Sequence, residues 1–88
     1  MYANLFDPIA VKNAKDREWD IRWTIQYYLK DILRLCKQGM YYVAKRDLIM
    51  FRGMLQYMKI VGDIEEMQRK FIYGITNQIE EKYDLYLY

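Results

Sequence analysis

At 88 residues the chain is one domain. Its 53% hydrophobic and 17% aromatic content excludes a disordered chain, and a net charge of +2 is too balanced to mark a nucleic-acid binder by itself. The absence of His and Ser removes Ser–His and Cys–His nucleophiles, the commonest metal ligand and the usual neutral-pH base.

Cys36 is the only cysteine, so neither a disulfide framework nor a structural zinc site is expected. Met1–Asp7 lacks the basic-then-apolar pattern of a signal peptide. No apolar run approaches the roughly 20 residues of a membrane span. The expectation is a cytoplasmic, non-enzymatic protein with no cofactor, no metal and no membrane contact.

In chain order, Asp7-Pro8 is a helix start, because Asp accepts orphan N–H groups and Pro at the first helical position loses no hydrogen bond. Pro8–Asn13 forms a short extra N-terminal helix or runs straight into the next one. The first long helix spans about 15–38. Ile21, Ile25, Tyr28, Ile32 and Leu35 step 4-3-4-3 along its core face, widened by Leu29, Leu33 and Cys36. Glu18 and Arg22 make an i, i+4 pair, Arg34 and Lys37 suit the C-terminal dipole, and Gly39 stops the helix.

The second helix spans about 41–61. Ala44, Leu48, Phe51, Leu55 and Met58 form its core stripe. A second apolar stripe of Met50, Met54, Tyr57 and Val61 lies beside it, leaving only Lys45, Arg52, Gln56 and Lys59 as a polar strip. A helix apolar over most of its circumference is central or shared with another subunit.

Gly62-Asp63 breaks the chain, and Asp63 with Glu66 has the spacing of a capping box. The third helix then spans about 64–83. Ile64, Met67, Phe71, Ile75 and Ile79 form its core face, and Glu65–Arg69 and Glu66–Lys70 pair on its outside. The tail Tyr83–Tyr88 packs across the bundle end or docks on a partner as an aromatic peptide. Short connections make neighbouring helices antiparallel. The fold expected is all-α: a single domain over 1–88, a three-helix antiparallel bundle, oligomeric through its second helix.

Gly39-Met40-Tyr41-Tyr42-Val43-Ala44 resembles the inter-helix turn of a tetratricopeptide repeat, with Gly, an aromatic two later and Ala three after that. The resemblance covers one hairpin. Asp31, Phe51 and the missing Pro after the second helix depart from that family, so the likeness implies a shared tight αα-hairpin and not membership.

Two functional readings follow. The first is a protein–protein interaction module, in the style of a viral or phage accessory protein in its host's cytoplasm. It acts on a protein partner or on itself through Met50, Met54, Tyr57 and Val61. The second is nucleic-acid binding by the basic hairpin 30–59. Lys37, Lys45 and Arg46 would meet phosphate at a helix N-terminus there, and Tyr41 and Tyr42 would stack on bases. The balanced total charge favours the first.

Overall fold

A computed structural model describes the backbone from Pro8 to Tyr88 and the side chains from Arg17 onward. The helices are α1 (Pro8–Lys37), α2 (Tyr41–Ile60) and α3 (Glu66–Lys82), followed by a 3₁₀ turn at Leu85–Leu87. The described residues contain no strand. α1 is one helix of 30 residues, so the alternative of a separate N-terminal helix is not adopted. The Asp7 cap lies outside the described residues.

Each helix ends on a left-handed residue. Gly39 has φ 77°, and its N–H donates to the Cys36 carbonyl while the Met40 N–H donates to that of Leu35. Gly62, at φ 83°, repeats the pattern: its N–H donates to Lys59 and the Asp63 N–H to Met58. Both are Schellman stops, which satisfy carbonyls a helix end would otherwise orphan. Asp84, φ 53°, takes the corresponding place after α3. A side chain at Gly39 would be held in this strained region at about 1–2 kcal/mol. Gly39→Ala therefore lowers stability by that amount in urea unfolding, and an unchanged midpoint would show that the turn relaxes without strain.

α2 is the helix on which both others pack. Arg17, in the N-terminal third of α1, bonds Asp63 beyond the end of α2 at 2.7 Å, so these two helices are antiparallel. α3 is also antiparallel to α2: Lys45 meets Glu80, Arg52 meets Thr76, and Lys59 meets Glu66. The core lies along one side of α2, where Ala44, Leu48, Phe51, Leu55 and Met58 are buried with Ile32, Leu35, Cys36, Ile64, Ile79 and Leu85. The Tyr28 ring stacks on Phe51 at 5.8 Å. Leu85 plugs the bundle end and the Tyr88 ring lies 5.4 Å from Tyr41, so the tail packs on the bundle.

The molecule is long, 52 × 22 × 15 Å, with a radius of gyration of 16.0 Å. A compact domain of this length would have about 12 Å. At 1.5 Å per residue α1 outruns α2 by about 15 Å. α1 and α3 also splay apart beside Gly62, leaving an open groove of about 680 Å³ between them. The bundle is thus two helix pairs sharing α2, not three helices closed around one axis.

α3 departs from the expected face. Ile64 and Ile79 are buried and Ile75 packs on the core, but Met67 is 81% exposed and Phe71 72%. Thr76, unexpected there, is fully buried. The reason is the Arg52 seam described below, which turns the Thr76–Glu80 side of α3 onto α2 and swings Met67 and Phe71 to the groove. Asp63 is not the cap, because Arg17 takes its carboxylate. The helix starts later, with a capping box in which the Glu65 N–H donates to Gln68 Oε1 at 2.8 Å. Glu66 pairs with Arg69 at 2.7 Å and with Lys59 at 3.6 Å, in place of the expected Glu65–Arg69 and Glu66–Lys70 pairs.

Candidate functional site

The polar strip of α2 was the natural choice for its solvent side. Its charged members, Lys45, Arg52 and Lys59, face α3 instead, while Gln56 stays exposed. Arg52 Nε donates to Thr76 Oγ1 at 3.0 Å, Nη2 to Asn77 Oδ1 at 2.7 Å, and Nη1 to Glu80 Oε2 at 3.2 Å. Lys45 Nζ donates to the same Glu80 oxygen at 2.6 Å. The Thr76 hydroxyl in turn donates a hydrogen bond to the Tyr73 carbonyl at 2.6 Å, and the Arg52 guanidinium lies 4.9 Å from the Tyr73 ring centroid. Among the described residues no buried side-chain nitrogen or oxygen lacks a partner, as burial demands. The Lys45 and Arg52 bonds hold the Glu80 carboxyl below its ordinary pKa against the opposing effect of burial.

With the charges of its polar strip turned to α3, α2 presents its apolar side to solvent. Tyr42, Ile49, Met50, Tyr57 and Ile60 are each more than half exposed, and Val61 is 44% exposed. Gly53 is exposed in their midst. The only charge on this face is Arg46, whose Nε lies 3.7 Å from its neighbour Asp47. Of the four residues read as an interface, Met50, Tyr57 and Val61 are on this face, while Met54 sits at its edge and packs partly on the core. Ile49 and Ile60 belong to the face and were missed. Their signal was present: eleven residues are almost three helical turns, so the two share a side.

The five residues read as an anion site do not gather. Successive positions point about 100° apart, so Lys45 turns to α3 and Arg46 outward. Lys45 is bound to Glu80, and Tyr41 is half-buried against Tyr88. Tyr42 is on the apolar face, and Lys37 is exposed at the end of α1 beside Arg34 and Gln38.

Two other surfaces are open. The groove between α1 and α3 is walled by Ile21, Ile25, Ile64, Met67, Phe71 and Ile72, with the Glu18–Arg22 pair on its rim. On the back of α1 Trp19, Trp23 and Tyr27 form an exposed ladder, the last two stacked at 5.2 Å. Among the described residues no three His, Cys, Asp or Glu side chains are placed to hold a metal ion. No helix among the described residues is long and apolar enough to cross a membrane. Burial raises the Cys36 thiol pKa, which disfavours the reactive thiolate. No family model, curated protein or solved structure matches this chain.

Proposed function

We propose that this chain acts by binding protein through the outer face of α2, and that it does no catalysis of its own. The observation that carries the reading is the inversion of α2: the charges of its polar strip, Lys45, Arg52 and Lys59, are spent on α3 and its apolar side is left in water. Residues of this size at these exposures leave an apolar area on the order of 700 Å², beyond the few hundred that a soluble monomer exposes without function. It is also close to the roughly 800 Å² that each partner gives to a standard interface. The buried, solitary Cys36 suits a reducing compartment such as the cytoplasm. The nucleic-acid alternative is weaker, since Lys45 is neutralised by Glu80 and Arg46 lies beside Asp47.

The test is a double variant, Met50→Glu with Tyr57→Glu. Both side chains are exposed, so the helical circular dichroism and the unfolding midpoint stay near those of the wild type. Any self-assembly or partner complex is lost, because a carboxylate cannot be buried unpaired at low cost. Light scattering and co-purification with the host's proteins read the second effect. An unfolded variant would place these residues in the core, and undiminished association would make the face idle.

A further inference from the structure

Gly53 lies in the middle of α2, and a Cβ built there meets nothing within 4 Å. The isolated fold gains nothing from a glycine at this point and gives up helix propensity for it. Its neighbours on the exposed face stand in a mirrored order. Tyr42, Arg46 and Met50 precede the midpoint and Gly53, Tyr57 and Val61 follow it, at four-residue steps on each side. Turned end for end, the face lays Met50 over Gly53, Arg46 over Tyr57 and Tyr42 over Val61. Large meets small, and a cation meets an aromatic ring. Ile49 and Ile60 fall on Met54 and Val43 in the same register.

We propose that α2 pairs antiparallel with α2 of a second copy, about a two-fold axis passing between Met50 and Gly53. This rests on the reading of the outer face of α2 as the contact surface, and it names the occupant. A parallel pairing would set the two Arg46 side chains against each other. The antiparallel register separates them by about 16 Å along the axis, more than the roughly 8 Å over which salt screens charge at physiological strength. Gly53 then has a use: with no side chain, it lets the second helix approach closely where the Met50 side chain needs room. The contact is isologous, so it closes at a dimer and leaves no apolar face to propagate. The exposed apolar area, on the order of 700 Å², is close to what each partner gives to a standard interface.

Sedimentation equilibrium is expected to show a monomer–dimer equilibrium. Gly53→Ala raises the unfolding midpoint of the dilute monomer by about 4 °C through helix propensity and weakens the dimer about tenfold. Gly53→Leu abolishes the dimer with the helical signal intact. Gly74→Ala is the control: Gly74 is also helical and has an empty Cβ site, but lies on α3, so the midpoint rises and dimerisation is unchanged. Register is read by disulfide trapping with copper–phenanthroline as oxidant, Cys36 being buried. A mixture of Arg46→Cys and Tyr57→Cys chains cross-links, and neither does so alone. Self-cross-linking of Arg46→Cys would mean a parallel pair and overturn the proposal. So would a wild type that stays monomeric at about 1 mM. If that monomer still held another protein through Met50 and Tyr57, the pairing would fall while the outer face kept its role.

Discussion

Phe51→Ala lowers the free energy of unfolding by about 3–5 kcal/mol, the sum of lost transfer energy and the cavity left behind. Phe51 is the largest side chain with no solvent exposure, and its ring stacks on Tyr28 of α1. It stands midway along α2, where both other helices bear on the same core. Leu48→Ala, at an equally buried position one turn earlier, costs about 2–5 kcal/mol. Whole domains are stable by only about 5–15 kcal/mol, so either change takes much of the total. Urea unfolding followed by circular dichroism measures both. Midpoints near the wild type would show that this stripe is not the core.

The second large effect is at the polar seam. Arg52→Met leaves Thr76, Asn77 and one side of Glu80 without their donor, and destabilises the protein by about 2–3 kcal/mol, the loss expected for charge-assisted bonds sheltered from water. The pH dependence gives the change a signature. Glu80 titrates lower in the fold than in the unfolded chain, chiefly through the Lys45 bond and then through Arg52. A depressed carboxyl contributes stability that is complete above the unfolded pKa and is lost as pH falls through the folded one. Glu66, held down to about 2 by Arg69, acts in the same direction. Removing Arg52 lets Glu80 titrate nearer its unfolded value, so the free energy of unfolding of Arg52→Met falls less between neutral and acid pH than that of the wild type. Equal acid limbs would mean that Lys45 alone sets the Glu80 carboxyl. Replacing Lys45, Arg52, Thr76 and Glu80 together by apolar residues of like size should cost far less than Arg52→Met, because no buried polar group is then stranded.

Much of the fold was legible because it rests on local chemistry. The 4-3-4-3 runs located α1 and α2 and their core stripes, and Gly39 and Gly62 marked the breaks where left-handed residues stand. What could not be read was rotation. Lys45, Arg52 and Lys59 carry charge, and a charged strip on a lone helix reads as solvent-facing. Only the pairing of helices reveals that Glu80, Thr76 and Glu66 stand opposite it. That error carries over to α3, whose Met67 and Phe71 keep a core spacing but lie at the rim of the groove. It also explains why the surplus stripe of α2 could be found while Ile49 and Ile60 were left out: the stripe was drawn beside the core, and the exposed side is wider than one stripe. The residues read as an anion site are dispersed for a similar reason, since nearness in sequence placed Lys45 with Arg46 although the helix sends them to different sides.

Methionine oxidation, mapped by mass spectrometry over a range of protein concentrations, tests the inversion of α2 and the covering of its outer face together. Met50 and Met67 are exposed on different helices, while Met58 is only 8% exposed. In dilute solution peroxide oxidises Met50 and Met67 quickly and Met58 slowly. As concentration rises Met50 becomes protected, and Met67 keeps its rate because the α2 face does not include it. Met58 reacting as fast as Met50 in the dilute protein would contradict the orientation of α2, and a Met50 rate indifferent to concentration would contradict its burial against a second copy.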